Sequence, residues 1–176
     1  MGSDDDVWIF GYGSLIFRPD FPFIARREGY ICGWARRFWQ ASTDHRGTPV
    51  HPGRVVTLVP VVDAKCWGVA YCVAGVERTA VLDRLDARER NGYQRQVLSF
   101  FDREGPAGQV IVYVADRMNP SFVGPESIEE TARVVRSSSG PSGPNREYVS
   151  KLAAALEAMG AADDHVAALA RAVADR

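Results

Sequence analysis

The feature that most constrains this chain is a short apolar run that ends in two closely spaced glycines. Four apolar residues, Val7 to Phe10, predict a buried β-strand. Gly11 and Gly13 then interrupt the strand, and glycine lets a backbone take positive φ or approach another segment closely. Because successive amides in such a turn can converge on an anion, the segment from Gly11 to Leu15 is a candidate cradle for a carboxylate or a phosphate.

Three other interpretations of this segment compete with that one. A nucleotide loop is disfavoured because Arg18 and Pro19 stand where a helix should open, and neither glycine-rich phosphate motif fits. A serine nucleophile elbow is disfavoured because Tyr12 and Ile16 occupy both glycine positions of G-x-S-x-G. A tight structural turn remains, and the segment taken by itself favours that interpretation over a ligand cradle.

Length and charge narrow the class of protein. A chain of 176 residues suits one domain with a sizeable core, so we predict a single domain over residues 1–176. Lys and Arg number 21 against 22 Asp and Glu, a balance that predicts neither a nucleic-acid nor a membrane partner. The acidic start is wrong for a signal peptide, and no apolar run is long enough to cross a bilayer.

Cysteine and histidine spacing argues against a metal site. The chain has three cysteines, Cys32, Cys66 and Cys72. They lack C-x-x-C spacing and are expected to be buried free thiols, which suits a reducing cytoplasm. The histidines are His45, His51 and His165. They show neither H-E-x-x-H nor ligand spacing with a cysteine, so no metal is expected.

The pattern along the chain predicts an α+β fold. After the first strand, further strands are expected over residues 24–42, 54–59, 66–73, 94–102 and 109–115. Helical periodicity is expected over residues 77–88, from about 125 to 136, around Tyr148, and around Val166 to Val173. Gly68 inside a strand indicates a close backbone approach or a barrel corner. A small mixed or antiparallel β-barrel with flanking α-helices fits this order best.

One acidic residue and two polar loops are candidates for chemistry. Glu89 follows the helix over residues 77–88, where a carboxylate faces an unfavourable helix dipole, although a salt bridge to Arg88 or Arg90 is an alternative explanation. The loops over residues 43–54 and 137–145 are rich in glycine, proline and serine. Their composition makes them candidate walls or gates of a site.

Five ordered motifs carry a family resemblance. They are Phe10 to Leu15, Asp44 to Val59, Trp67 to Tyr71, Arg88 to Tyr93, and Ser139 to Asn145 with Tyr148. The set resembles the ChaC family of glutathione-specific γ-glutamylcyclotransferases over nearly the whole chain. This resemblance implies a barrel of the γ-glutamylcyclotransferase type with flanking helices. It also implies cleavage of the small molecule glutathione to 5-oxoproline and Cys-Gly, with no metal and no organic cofactor.

The resemblance also implies roles for particular residues. Glu89 matches the family's catalytic glutamate, and the loop that holds the γ-glutamyl group matches Tyr12, Gly13, Ser14 and Leu15. Phe17 stands where many members have Trp, and Asn91 replaces the first glycine of Gly-Gly-Tyr. Tyr148 is a candidate for a further polar contact from the C-terminal helical region. Alternatives are a different γ-glutamyl amine or peptide as substrate, or a non-catalytic ligand-binding module on the same fold.

The reaction implied in this way needs few groups. Attack of the substrate's α-amine on its own γ-carbonyl is intramolecular, and such reactions reach effective molarities of about 10⁵ M or more. No enzyme nucleophile is therefore required. One carboxylate can accept the ammonium proton and deliver it to the leaving amine. We expect partial burial of Glu89 among tyrosine and apolar side chains, which would raise its pKa.

Overall fold

The computed structural model describes residues 5–88, 93–115 and 117–175. Within them, five long strands are β1 (Val7–Gly11), β2 (Ala25–Ser42), β3 (Gly53–Val73), β4 (Tyr93–Phe101) and β5 (Pro106–Ala115). Two short strands are β6 (Ser139–Gly140) and β7 (Gly143–Pro144). The α-helices are α1 (Gly75–Arg88), α2 (Ile128–Ser137), α3 (Asn145–Ala158) and α4 (Asp164–Ala174).

The five long strands close into a barrel in the order β1-β3-β2-β4-β5. Neighbours with a described register are antiparallel except where β1 meets β5 in parallel at Ile9 and Ile111. The predicted α+β fold with a mixed barrel is therefore confirmed. Two strand segments are buried on both faces, Val69–Val73 of β3 and Val112–Ala115 of β5. The Tyr113 side chain is slightly exposed. Burial on both faces explains why these segments lack polar alternation in the sequence.

Backbone contacts divide the chain into two compact units. The first comprises Met1–Ala35 and Leu58–Pro120, and the second comprises Arg36–Thr57 and Ser121–Arg176. The first unit holds β1, β4, β5 and α1 with parts of β2 and β3. The second holds the remaining parts of those two strands with α2, α3 and α4. A single domain over residues 1–176 stays a prediction.

Several predicted boundaries differ from the structure, and two of the differences have a clear physical reason. The strands expected over residues 54–59 and 66–73 are one continuous strand, β3, whose middle at Val62 is exposed and where Asp63 takes φ 60°. Apolar periodicity reports burial, so it misses an extended segment that points into solvent. Helix α2 begins at Ile128, three residues later than expected, because the Ser127 side chain accepts from the Glu130 amide and forms a capping box.

The three cysteines are free, but their burial differs. Cys66 and Cys72 are buried as predicted, whereas Cys32 is exposed. The prediction was wrong for Cys32 because successive residues of β2 face opposite sides, and the fully buried neighbour is Ile31. Within the described residues, no helix has both the length and the apolar content that a membrane crossing requires.

Gly68 lies where two backbones of the first unit meet. A Cβ placed on Gly68 would collide with the carbonyl oxygen of Gly11 and lie 2.7 Å from the Phe10 ring. The close approach predicted for this glycine is therefore confirmed. The contact sets the position of the end of β1 on β3, because main chain cannot move aside as a flexible side chain can.

In the second unit, the start of α4 is attached to β2 through polar groups. The Asp163 carboxylate accepts from the His165 and Val166 amides and from the buried Arg36 guanidinium at 2.9 Å. His165 Nε2 accepts from the Phe38 backbone N–H at 3.1 Å, so this ring nitrogen carries no proton. Burial, together with the nearby Arg37 and Arg36 charges, lowers the pKa of His165 to about 4, although Asp163 opposes that shift.

Gly68→Ala is expected to destabilise the protein by about 1–3 kcal/mol, the usual cost of forcing extra volume into a packed site. The reason is the collision with the Gly11 carbonyl. Urea denaturation measures the free energy of unfolding, with Ser99→Ala on an exposed strand position as the control. Equal stability of both variants would contradict the contact.

Protonation of His165 is expected to make the free energy of unfolding depend on pH in the acidic range. Its folded pKa of about 4 lies below the unfolded value of 6.5, so the unfolded state binds more protons between these values. The free energy of unfolding should fall as the pH drops from about 6.5 to about 4. The pKa difference corresponds to a change of at most about 3 kcal/mol in the free energy of unfolding. Solvent around the half-buried ring reduces the expected change to about 1–2 kcal/mol.

The measurement is urea denaturation of wild type and His165→Gln between those two pH values. The variant should show a flatter pH dependence than wild type, since glutamine can accept a hydrogen bond without titrating. His51→Gln, at an exposed histidine of the same unit, is the control and should follow wild type. Parallel curves for wild type and His165→Gln would contradict the assignment.

Candidate functional site

The glycine segment forms a compact loop at the end of β1. Ser14–Ile16 make one turn of 3-10 helix, in which the Ile16 amide donates to the Gly13 carbonyl at 3.0 Å. A Cβ on Gly11 would lie 2.6 Å from the Leu15 Cβ, so glycine is required for the chain to fold back. Neither glycine takes a positive φ: Gly11 is required for space, and Gly13 has φ −130° and ψ −126°.

Two tyrosines fix this loop in place. The Tyr71 hydroxyl, reaching from β3, donates to the Leu15 carbonyl at 2.7 Å. Burial raises the pKa of Tyr71, which keeps the phenol protonated as a donor. The Tyr12 hydroxyl is buried and donates to the Tyr113 carbonyl of β5 at 2.7 Å. The loop is thus bonded to both strands that flank β1 in the barrel.

The predicted substrate-binding residues fall in different parts of the chain. Gly13, Ser14 and Leu15 are half-exposed neighbours, while the Tyr12 side chain is buried. Tyr148 belongs to the second unit, on α3. Their substrate contacts stay predictions. Sequence reasoning assigned no role to Tyr71, although it closes the Trp67–Tyr71 motif that helped carry the family resemblance.

Glu89, the predicted catalytic residue, lies outside the described residues, as does Asn91. The described residues on either side of this segment are joined by side chains. Arg95 Nε donates to Asp86 Oδ1 at 2.6 Å, and the Arg95 guanidinium also bonds the second carboxylate oxygen. The Tyr113 hydroxyl donates to Asp86 Oδ1 at 2.7 Å. Sequence pattern alone did not single out any of these three residues.

The charge states of this cluster follow from its contacts. The hydrogen bond from Arg95 lowers the pKa of Asp86, with a smaller contribution from Tyr113, so Asp86 is a carboxylate at neutral pH. Burial raises the pKa of Tyr113, and the hydrogen bond to Asp86 adds to that effect. Tyr113 is therefore a neutral donor that points at an anion.

In the second unit, the two polar loops pack against each other. The Ser142 amide donates to the His45 carbonyl at 2.9 Å, and the Arg46 guanidinium donates to the Pro144 carbonyl at 3.2 Å. A Cβ on Gly140 would collide with the His45 carbonyl and lie 2.6 Å from that of Gly47. The shared glycine and proline composition of these loops thus reflects close packing between them.

Asn145 joins these loops to β3. Its side chain is fully buried, and it accepts from the Arg54 amide at 2.6 Å while donating to the Arg54 carbonyl at 2.8 Å. Its own amide donates to the Ser138 carbonyl at 2.9 Å. The carboxamide therefore pairs with Arg54 as a neighbouring strand would. This explains why the loop over residues 137–145 ends in asparagine.

The charged side chains near Asn145 are paired. Arg54 forms a two-pronged contact with Glu126, at 2.8 Å through Nε and 2.7 Å through Nη2. Arg46 is almost fully buried, with its guanidinium 5.7 Å from the ring centroid of Tyr148 and 3.8 Å from Glu147. The Tyr148 ring is itself buried and packs edge-on against Phe38. This part of the unit is a connected network of polar and aromatic side chains.

Metal binding has no support among the described residues. No three His, Cys, Asp or Glu side chains within them are placed to hold an ion together. The polar groups described in this subsection include hydroxyl groups, main-chain amides and carboxylates. Such groups can bind a small zwitterion and move a proton.

Comparisons with known proteins agree with this architecture. The profile of a family described as ChaC-like protein matches residues 7–176. Glutathione-specific γ-glutamylcyclotransferase 1 of Homo sapiens is 40% identical, over 98% of this chain and 80% of that protein. γ-Glutamylcyclotransferase 2-3 of Arabidopsis thaliana is 43% identical, over 95% and 88% respectively. The crystal structure of a yeast γ-glutamyl cyclotransferase specific to glutathione superposes with a TM-score of 0.89 at 34% identity, covering 96% of each chain. The predicted fold type is thereby confirmed.

Asn145→Ala is expected to destabilise the protein by about 2–4 kcal/mol, because both backbone groups of Arg54 lose their partner in a buried place. Asn145→Asp keeps the acceptor but turns a carboxylate oxygen toward the Arg54 carbonyl in a fully buried place, so it should not recover the lost stability. Ser150→Ala, at an exposed position of α3, is the control and should change stability by less than about 0.5 kcal/mol. Thermal and urea unfolding measure these differences, and a neutral Asn145→Ala would contradict the network.

Proposed function

Because the chain belongs to the ChaC-like protein family, we propose that it is a γ-glutamylcyclotransferase that cleaves glutathione to 5-oxoproline and Cys-Gly. The observation that carries this proposal is the likeness, over nearly the whole chain, to human and yeast proteins named for that substrate. The described residues add a rigid glycine loop and a set of ionised and hydroxyl groups in the same unit.

The proposed reaction moves one amide bond within the substrate. The neutral α-amine of the γ-glutamyl group attacks its own γ-carbonyl carbon and forms a five-membered lactam. The bond from that carbon to the cysteinyl nitrogen breaks, and the nitrogen leaves as the amine of Cys-Gly. Holding the γ-glutamyl group of the substrate in a folded conformation supplies much of the rate acceleration, since intramolecular attack avoids the entropy cost of bringing two molecules together.

Glu89 is the proposed acid–base group. The substrate amine has a pKa near 8, so a base must remove one proton before attack. The leaving nitrogen needs a proton as its bond breaks. One carboxylate placed between the two nitrogens can serve both needs in turn. An ordinary glutamate has a pKa of about 4.3, so we propose that a partly desolvated setting raises that of Glu89.

The loop from Tyr12 to Leu15 is proposed to hold the γ-glutamyl group. Its main-chain amides suit the substrate α-carboxylate or the oxyanion that develops at the γ-carbonyl. Support comes from the fixed shape of the loop, since Tyr71 holds the Leu15 carbonyl and Tyr12 is bonded to β5. A loop that is already ordered loses little entropy when a ligand binds. Tyr148 is proposed as a further polar contact.

A second candidate keeps the chemistry and changes the substrate. The Arabidopsis relative, which is 43% identical, is named as a γ-glutamylcyclotransferase without a stated substrate. Another γ-glutamyl amine or peptide would present the same reacting atoms and a different leaving group. Comparing substrates therefore separates the two candidates.

The cellular setting is proposed to be cytoplasmic. Three free cysteines, one of them exposed, suit a reducing compartment. The near balance of acidic and basic residues supports a small-molecule substrate rather than a nucleic-acid partner.

Glu89→Gln is expected to lower 5-oxoproline release by at least about 100-fold, the lower range for a positioned acid–base group. The melting temperature should change little. Mass spectrometry of products from purified protein and glutathione is the measurement. Glu77→Gln, at an exposed position of α1, is the matched control and should keep full activity.

The same assay decides between the candidate functions. A faster reaction with γ-glutamyl dipeptides than with glutathione would favour the broader substrate class. Binding of glutathione by wild type with no product would indicate a non-catalytic module. Near wild-type turnover by Glu89→Gln would remove that residue from the mechanism.

A further inference from the structure

Tyr71 lies beside the strand from which the loop after β1 emerges. In the antiparallel β1–β3 ladder it is directly opposite Ile9, so both side chains leave the same face of the sheet. Gly11 follows Ile9 by two residues and therefore faces the same side. A Cβ on Gly11 would lie 2.6 Å from the Leu15 Cβ, which shows that the loop folds back over this face. The loop thus lies on the face of β1 and β3 that carries Tyr71.

The Tyr71 hydroxyl reaches two successive carbonyl groups at the end of this loop. It donates to the Leu15 carbonyl at 2.7 Å, with a second, longer contact to the Ile16 carbonyl at 3.4 Å. Because a peptide group is planar, fixing its carbonyl oxygen also fixes the direction of its amide. One hydroxyl therefore sets the orientation of the main chain here. The Tyr71 side chain is 1% exposed, which limits competition from water for these contacts.

Aromatic packing holds the Tyr71 ring itself in place. The Phe21 ring packs edge-on at 5.8 Å between ring centroids, and the Phe23 ring lies at 4.9 Å. Both rings belong to the segment that follows the loop. That segment is bonded back to β3, since the Ile24 amide donates to the Cys72 carbonyl at 2.8 Å. A side chain packed in this way keeps one rotamer, so its hydroxyl stays directed at the loop. All of these residues belong to the first unit.

We propose that Tyr71 is a positioning residue for substrate binding, because it holds the loop from Tyr12 to Leu15 in the shape that accepts a γ-glutamyl group. This rests on the proposed function, in which that loop binds the part of the substrate that cyclises. Tyr71 acts through the loop and is not itself catalytic. Without its hydroxyl, the loop samples other conformations, and apparent affinity falls by the fraction of the protein that is no longer competent to bind.

A positioning role of this kind predicts a particular kinetic pattern. Once substrate is bound, the loop is in its competent shape, so kcat is unchanged while KM rises. Glutathione and γ-glutamyl dipeptides share the γ-glutamyl group and differ in the leaving amine. A loop that holds the shared group should therefore affect them by the same factor. A merely structural role would instead reduce the amount of active protein, which lowers the apparent kcat and leaves KM unchanged.

Tyr71→Phe tests the proposal, because it removes the hydroxyl and keeps the ring that packs against Phe21 and Phe23. The KM for glutathione is expected to rise about 3- to 10-fold, the range that loss of one hydrogen bond usually produces, while kcat stays within about twofold. The same factor is expected for any γ-glutamyl dipeptide that wild type also cleaves. Release of 5-oxoproline measures both constants, and thermal unfolding checks that the variant is folded.

Two further variants accompany this test. Tyr30→Phe is the matched control, since it removes the hydroxyl of a half-buried tyrosine of the same unit whose ring packs against Trp67 and Phe101. It should leave KM and kcat unchanged. Phe23→Leu keeps the Tyr71 hydroxyl and loosens the packing on its ring, and the 41% exposure of Phe23 makes the change easy to tolerate. It should raise KM by a smaller factor than Tyr71→Phe.

The outcomes distinguish this inference from the proposed function. If wild type converts glutathione to 5-oxoproline, the function stands. An unchanged KM in both Tyr71→Phe and Phe23→Leu would then overturn the positioning role alone, as would a fall in kcat at constant KM. A rise in KM for glutathione that a cleaved γ-glutamyl dipeptide does not share would also overturn it. If wild type releases no 5-oxoproline, the proposed function fails, and the positioning role fails with it.

Discussion

The structure depends on the close contact between β1 and β3, where Gly68 passes beneath the carbonyl of Gly11. No side chain fits at Gly68, so the two backbones define each other's position at this point. Tyr71, three residues beyond Gly68, then reaches the Leu15 carbonyl. The shape of the loop after β1 is therefore determined by the barrel wall and not by the loop residues alone. Barrel closure makes this arrangement rigid, since every long strand has two neighbours.

A rigid loop of this kind suits an intramolecular reaction. When a substrate supplies its own nucleophile, a protein has to fold the substrate, stabilise developing charge and move one proton. Donors that are fixed before binding do this without reorganising during the reaction. The hydrogen bonds of Tyr12 and Tyr71 leave the loop main chain in a defined conformation.

Much of the fold was predictable from local pattern. The strand Val7–Gly11, the mixed barrel and the tight spot at Gly68 follow from apolar runs and glycine placement. The predictions failed where a segment is extended without being buried. The middle of β3 is exposed to solvent, and Cys32 faces outward from its strand. Composition alone could not predict that the two polar loops pack against each other. Glycine and proline are common both in mobile gates and in close backbone contacts.

The sequence by itself determined most of the strands and helices and which residue types could do chemistry. Periodicity, glycine placement and the lone glutamate after α1 are local features, and they persist whatever the rest of the chain does. Only the tertiary structure decided the partners: Asn145 with Arg54 across 91 positions, and Tyr12 with Tyr113 across 101. Such pairings depend on barrel closure and strand register, which arise from many weak contacts summed over the whole chain. No short stretch of sequence encodes them.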